Sequence, residues 1–521
     1  MRTRPPATRP PATRPPATRP LTSRLASAAL GPVTAGFGLA VGHLVAAATT
    51  PATSPVLVVG ATVIDRTPTS LKEWAIAHLG SHDKTVLVGS VLLVVLAVST
   101  LVGPLARRRP IAGVLLLAAL ALVAGGCALR RPGATYADLL PSLVAGVAAV
   151  ASLLAIRALV RRARPGGTDP SRRVALLTLG TTAAGAAAVG LTGRWLAGYR
   201  GRDETFALPR PADPAGAFPA GLDRTVPGIT PLRTRAADLY RVDTRLDVPV
   251  VSAADWTLTV DGQVDRPFTL SLDELLAMPL TERDITLTCV SNSVGGPYVG
   301  AGRWLGVRLT DLLHRAGVQE GADQILSSDV DGMTISTPLR LASDGRDSMV
   351  AIGFNGAPLP RAHGFPARLL VPGLYGFIGA TKWLRRMTLT TYAAQDAYWT
   401  KRGWATNAPI RISSRIDTPR PLVTLDAGET VVGGVAWAQE SGGVTRVEVS
   451  VDGGRWQAAR LGPSVGDDYW RQWFWRWPAR PGVHTLACRV VDGAGQVQTA
   501  VRATPFPSGS SGIHTIQVSV R

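Results

Sequence analysis

Hydrophobic positions fall along this chain in two distinct patterns. Between residues 25 and 193 they form five near-continuous apolar runs, at 25–49, 85–105, 111–129, 142–160 and 174–193. Each is close to the roughly 20 residues a helix needs to cross a bilayer. Beyond residue 236 apolar and polar positions alternate in short stretches, "WTLTVDGQV", "ITLTCVSN", "MTISTPL" and "ARLLVPG", separated by Gly, Pro and Asp. A period of two with such punctuation predicts strands, and "RLTDLLHRAG" predicts a helix among them. From about 406 the pattern is purely β. "TRVEVSVDGGRWQAARL" reads strand, DGG turn, strand, and "HTLACRVVDGAGQVQTAVRA" and "GIHTIQVSV" repeat it. Strands at that spacing predict an immunoglobulin-like β-sandwich.

The fold class is therefore multi-domain. A five-helix transmembrane region (25–194) is followed by a Pro- and Gly-rich linker (195–235), a mixed α+β domain (236–405) and the β-sandwich (406–521). Residues 1–24 repeat "TRPPA", and proline at that density cannot pack as helix, so a disordered basic tail is expected there. Residues 50–83 predict a short strand or re-entrant piece and an amphipathic surface helix.

Charge then sets the orientation. The chain carries 55 Lys and Arg against 36 Asp and Glu, a net +19. With the N-terminus inside, cytoplasmic segments hold fourteen of these cations, including the six arginines of the tail, Arg107 to Arg109 and Arg172-Arg173. The outer loops hold five: Arg66, Lys72, Lys84, Arg130 and Arg131. That bias predicts an N-in bundle whose odd helix count puts everything after 194 outside the cytoplasm. The charge is accounted for by topology, so no nucleic-acid partner is expected. The helices themselves are nearly bare of ionisable groups, His43 and Arg157 apart, which argues against a transport path or a bis-histidine haem site. His78 and His82 stand four apart with no third ligand evident.

Three cysteines, Cys127, Cys289 and Cys488, lie far apart and form no CxxC pair, so neither a disulfide framework nor a zinc site is expected. Cys289 shares strand parity with Ile285 and Leu287, as a core residue would. Its strand, however, ends at once in the polar Ser291-Asn292-Ser293 turn and the glycine-rich "VGGPYVGAGRW", where a thiol can meet a ligand. Cys488 has the same parity without such a loop and reads as core. In "RAHGFPARLLVPGLYGFIGATKWL", His363, Arg368 and Lys382 are either solvated singly or gathered on a phosphate-bearing ligand.

Together, "TLTCVSN", "GRWLGV", "NGAPLPRAHGFPARLLVPGLYGF", "TKWL" and "YWTKRGWATNAPIRISSRID" resemble the sulfite oxidase family of molybdopterin enzymes. "VEVSVDGGRWQAARL" and "PFPSGSSGIHTIQVSV" resemble that family's dimerisation domain. The likeness covers roughly 236–521, and the helical front end looks like a membrane-anchored bacterial branch. It implies a single molybdopterin-bound molybdenum with Cys289 as the protein thiolate on the metal, a role that suits a soft anionic sulfur. It implies contacts to that cofactor from Thr244, Arg245, Asn292, His363, Arg368 and Lys382. It also implies a homodimer through the last domain, a small-molecule substrate and an external electron-transfer partner, because no haem-binding motif is evident. Sulfite-oxidising members present arginines before the "VP" and after the cysteine. Here those positions hold Asp243 and a run with no arginine until Arg303, so sulfite is expected to be a poor substrate. A cofactor-loaded domain must cross the membrane folded, and "SRRVALL" before the last helix reads as a twin-arginine export signal, retained as an anchor. The competing readings are a non-catalytic surface binding module that kept the fold, a sulfite-oxidising enzyme and, less favoured, a transporter.

Overall fold

The computed structural model describes residues 21–79, 82–162, 168–202 and 204–521. Most of the basic tail expected over 1–24 lies outside the described residues. The chain divides into two compact units, Met1–Arg200 and Gly201–Arg521.

The first unit is helical throughout: α1 (Leu21–Ala48), α2 (Pro55–Arg66), α3 (Thr69–Leu79), α4 (Asp83–Ser99), α5 (Val102–Arg108), α6 (Pro110–Leu129), α7 (Leu140–Arg162) and α8 (Thr168–Arg200). Five of its helical stretches are long and apolar enough to cross a membrane: Ser27–Ala48, Asp83–Arg108, Pro110–Leu129, Tyr136–Arg162 and Arg173–Arg200. These coincide with the five apolar runs of the sequence. Small residues bring α1 and α7 close. A Cβ on Gly38 would stand 2.4 Å from the Ala145 carbonyl oxygen, and one on Gly42 would stand 2.8 Å from the Ala145 Cβ. Gly four apart on one helix face is how apolar helices pack where hydrophobicity offers no drive between them. Arg200 donates to the carbonyls of Ala47 and Thr49, at 2.8 and 3.1 Å, and so caps the end of α1. Within the predicted 50–83 stretch, the described residues 55–66 and 69–79 form α2 and α3, not a strand, because Pro55 opens a helix at its first position. There His78 stacks on Trp74 and contacts its carbonyl oxygen at 2.8 Å. Among the described residues no group of three metal-ligating side chains occurs.

In the second unit, two sheets carry the α+β part. Strands β1 (Thr257–Gly262) and β2 (Phe268–Ser271), then β3 (Leu280–Thr288), β4 (Val299–Arg308), β5 (Gln324–Asp329), β6 (Thr334–Pro338), β7 (Met349–Phe354), β8 (Ala357–Pro358), β9 (Arg368–Leu370) and β10 (Leu384–Thr390) appear in order. One sheet runs β2-β1-β10-β5-β6, with β1 and β10 parallel; the other runs β3-β4-β7-β8, with β9 on β7. The predicted helix is α10 (Leu309–Ala316), which follows the single turn α9 (Leu272–Leu276) in chain order. It buries Leu309, Leu312, Leu313 and Ala316 and stops at Gly317, whose φ of +66 suits glycine.

The C-terminal part is all β, as its alternation predicts. It comprises β11 (Ser413–Thr418), β12 (Thr424–Leu425), β13 (Gly428–Trp437), β14 (Val444–Val451), β15 (Gln457–Ala458), β16 (Arg460–Leu461), β17 (Arg471–Ala479), β18 (Gly482–Asp492) and β19 (His514–Val520). Two sheets, β11-β13-β17-β16 and β12-β19-β18-β14-β15, share a core that includes Val432, Val447, Trp473, Cys488 and Val518. Cys488 is fully buried and its sulfur accepts from Ser414 Oγ, so its reading as core is correct.

Two boundaries differ from the sequence reading. Residues 204–235 are a strap packed on the domains, not a free linker: Thr234 Oγ1 accepts from Ala301 N, and Leu222 N donates to Gln472 Oε1. Proline and glycine removed helix and strand there, but extended backbone still found side-chain and backbone partners. The α+β and β parts also share one core, in which Val435, Trp437, Tyr469 and Trp470 join residues from β1 to β10.

Candidate active site

Cys289 follows the last residue of β3. Its N–H donates to Tyr298 O at 3.0 Å, and its carbonyl accepts from Asn292 N at 3.0 Å. Asn292 is buried, and its Oδ1 accepts from Tyr298 N at 2.9 Å. The 289–298 loop is thus pinned at both ends, with Asn292 serving as its internal brace. Ser510 Oγ, from the loop before β19, donates to Asn292 O at 2.5 Å and ties the β-domain to this turn.

The Cys289 sulfur is half-buried in surroundings that set its chemistry. Burial pushes the thiol up; the Ser291 N–H at 3.4 Å and the Lys382 charge pull the other way. Two phenols share the space. Tyr240 and Tyr375 are both driven up by burial, Tyr375 to about 12, and both sense a Cys289 thiolate. Neither was singled out in the sequence, since an aromatic at strand or turn spacing reads as core. Their polar neighbours reveal them only in three dimensions.

His363, Arg368 and Lys382 converge, as the phosphate-ligand reading requires. Gly364 makes this possible. It has a φ of +112, and a Cβ there would lie 3.1–3.2 Å from Lys382 Cα and Cβ and from Arg368 Cβ. Glycine at 364 therefore does two things at once: it takes a left-handed turn and lets two cationic side chains close on His363. His363 is held down to about 4, first by burial and then by Arg368 and Lys382, so it is neutral at physiological pH. Arg368 is 6% exposed and burial lowers it to about 10. One of its nitrogens donates to His363 O at 3.1 Å, its guanidinium lies over Trp304, and its Nε has no hydrogen-bond partner. Lys382 is lowered to about 8 by burial, against the support of Asp243 Oδ2 at 2.5 Å.

The "YRVDTRLDVP" segment crosses this cluster. Arg361 holds it, donating to Val248 O and Pro249 O at 3.1 and 3.0 Å, a role that the sequence did not disclose. Asp243 bridges Lys382 and Arg241, whose Nε lies 2.9 Å away. Thr244 is half-buried in the same segment. Arg245 turns to the β5–β6 connection, where its guanidinium forks onto Asp329 and Asp331. Arg303, the first arginine after Cys289, is spent on Asp284 and on Gly216 O, both at 2.7 Å. Neither Arg245 nor Arg303 is left to receive an anion.

A molybdopterin fits what is present. The cradle places Arg241, Arg368 and Lys382 around neutral His363 with Asp243 as the carboxylate bridging two of them, and it leaves a buried guanidinium nitrogen unmatched. Burying such charge is costly unless an anion answers it. A phosphate supplies that anion, and a thiol beside the cradle supplies a soft ligand for a metal.

Residues 245–399 match the "Oxidoreductase molybdopterin binding domain" family model. The chain is 32% identical to sulfite oxidase of Gallus gallus over 311 residues, half of this chain and 67% of that protein. It is also 32% identical to mitochondrial sulfite oxidase of Homo sapiens over 306 residues, 49% of this chain; it spans only 55% of that protein. Among solved structures, the sulfane dehydrogenase SoxCD of Paracoccus pantotrophus superposes with a TM-score of 0.50 at 25% identity, covering 55% of this chain and 81% of the other. The cofactor cradle, the thiol beside it and these likenesses agree: the chain belongs to the sulfite oxidase family of molybdopterin-dependent oxidoreductases.

Proposed function

We propose that this protein is a membrane-anchored oxidoreductase whose second unit works outside the bacterial cytoplasm, moving an oxygen atom to or from a small molecule. The observation that carries this reading is the buried, anion-seeking cradle at Gly364 beside Cys289. In it, Cys289 is the metal's protein ligand, and Thr244, Asn292, His363, Arg368 and Lys382 are the cofactor contacts, while the Arg245 guanidinium is taken up by Asp329 and Asp331. The bound cofactor supplies two-electron exchange coupled to oxygen-atom transfer.

The chain's own residues have separable tasks. Arg368 and Lys382 provide positive charge to a phosphate-bearing ligand, and His363 offers a neutral imidazole because those two cations suppress its protonation. Asn292 holds the Cys289 turn, and Arg245 braces the crossing segment through Asp329 and Asp331. Ser291 N–H and Lys382 favour the thiolate that metal ligation needs. Tyr240 and Tyr375 are buried phenols within electrostatic reach of the sulfur. The two C-terminal sheets with their shared core support an immunoglobulin-like sandwich, and the family resemblance supports a homodimer through it. The five apolar helices and the arginine bias support the N-in topology.

Gly364→Ala tests the cradle. Forcing a side chain into a left-handed turn costs about 1–2 kcal/mol, and the added Cβ must push Lys382 and Arg368 apart. We expect a folded protein with several-fold less molybdenum per chain. Unchanged molybdenum content would remove the cradle from the account.

Sulfite should be a poor substrate. Asp243 stands where sulfite-oxidising relatives are expected to present an arginine, and Arg245 and Arg303 are already engaged. Asp243 supplies no guanidinium, and a bound anion that lacks that charge-assisted partner loses roughly 1.5–3 kcal/mol; the carboxylate's own negative charge is already answered by Lys382 and Arg241. Sulfite-dependent reduction of an artificial acceptor by metal-replete protein should be slow. Fast turnover at submillimolar sulfite would overturn this.

A further inference from the structure

An enzyme with one molybdenum must exchange its electrons with something else, and the second unit carries a surface suited to that exchange. Tyr375 is buried within electrostatic reach of Cys289, and the same short stretch holds Phe377. Phe377 packs on Trp404 at 5.4 Å between ring centroids, and Trp404 meets Trp399 at 5.9 Å and Phe506 at 5.2 Å. Phe506 reaches solvent, as does Val501 in the same loop. That loop lies on the site: Gly509 packs so tightly on the Tyr375 ring that a Cβ would come within 2.4 Å of it, and Ser510 donates to Asn292 O. A close-packed aromatic cluster therefore runs from the surroundings of Cys289 to an exposed apolar patch.

The two segments that carry the patch are rich in cations, although Asp396 and Asp417 flank the first of them. Residues 397–416 contain Lys401, Arg402, Arg411 and Arg415, and residues 493–521 contain Arg502 and Arg521, with no Asp or Glu in either segment. Arg411 reaches across to Ser508 Oγ at 3.1 Å, and Arg402 lies over the Tyr398 ring, which is edge-on to Trp399. Arg415 is matched by Asp417, and Arg521 by Asp426 at the other end of the sheet; Lys401 and Arg402 precede Gly403, which packs on Phe506, and Arg502 follows Val501.

We propose that this patch, Phe506 and Val501 with Lys401, Arg402, Arg411 and Arg502, is the docking surface for an acidic one-electron carrier protein. The inference rests on the oxidoreductase reading above. For oxidation, substrate and water give the oxygenated product, two protons and two electrons, and two oxidised carriers each leave with one electron; reduction runs the same balance backwards. An apolar centre with a charged rim is the architecture of a transient encounter, in which the rim sets the rate and selects the partner.

The test uses the full chain, cofactor-loaded in detergent, with acidic plastocyanin as the probe and basic cytochrome c as the opposite-charge control. Plastocyanin binding should be tighter at low salt, and Lys401→Glu with Arg502→Glu should weaken it at least about tenfold. Arg480→Glu, at the far end of β18, should change it less than about twofold. Phe506→Ser should weaken binding without lowering molybdenum content. Rim and distal reversals of equal effect, equal binding of cytochrome c, or no binding of plastocyanin would each overturn the proposal. Molybdenum content, measured on the same samples, reports separately on the oxidoreductase reading.

Discussion

Cys289→Ser is expected to leave a folded, membrane-inserted protein with turnover reduced by at least about a thousandfold. The estimate follows from what the substitution removes. A serine hydroxyl stays protonated in a buried site where even the thiol is pushed up by burial, and as a hard oxygen donor it does not replace a soft sulfur on the metal. A loss of about 4 kcal/mol in transition-state stabilisation already corresponds to a factor near a thousand. The fold should be indifferent, because the turn is held by backbone bonds from Cys289 N and O and by the Asn292 side chain, none of which uses the sulfur. Cys488→Ser is the matching control. It places a hydroxyl in the core between the two C-terminal sheets and should lower the melting temperature by a few degrees, about 1 kcal/mol, with turnover per folded molecule unchanged. Equal activity in Cys289→Ser and wild type would remove Cys289 from the metal.

Replacing both Arg172 and Arg173 with Lys should trap the second unit in the cytoplasm. Arg173 opens the last of the five apolar stretches with Arg172 just before it, and α8 carries both in one 33-residue helix with the apolar run. Lysine keeps the positive charge, so on the proposed N-in topology the charge bias across the first four apolar stretches is unchanged. What it loses is the planar, five-donor guanidinium, and a receptor reading that geometry discriminates the two. External protease on intact cells should therefore cut the wild-type second unit and spare the double variant. The same protection is expected for wild type in cells lacking the twin-arginine machinery. Normal cleavage in such cells would assign export of this unit to another route.

How much of this was legible in the chain depends on how local each feature is. The five apolar runs and the α10 helix ending at Gly317 follow from periodicity and a cap within a few residues, and the structure reproduces them. Cys289 was ambiguous by parity, because Ile285 and Leu287 on the same side are core; its place at the end of β3 and the loop after it pointed the other way. The gathering of His363, Arg368 and Lys382 depends on Gly364, whose open α-carbon lets residues 19 positions apart meet; spacing alone cannot display that. Tyr375 and Arg361 escaped notice for a related reason: each acts on partners distant in sequence, Cys289 and Val248. The strap over 204–235 reads as a linker because its proline and glycine forbid regular structure, yet its backbone bonds to β4 and β17 are invisible without the fold. Arg245 shows the reverse hazard. Family resemblance puts it against the cofactor, while the aspartates that claim its guanidinium, Asp329 and Asp331, lie more than 80 residues downstream.

The most direct test of the account is the metal itself, read on the purified full chain produced in cells that make molybdopterin. Elemental analysis should find close to one molybdenum per chain, and X-ray absorption should show a sulfur shell that loses one ligand in Cys289→Ser. A metal-free wild type, or a sulfur shell identical in the two proteins, would contradict it.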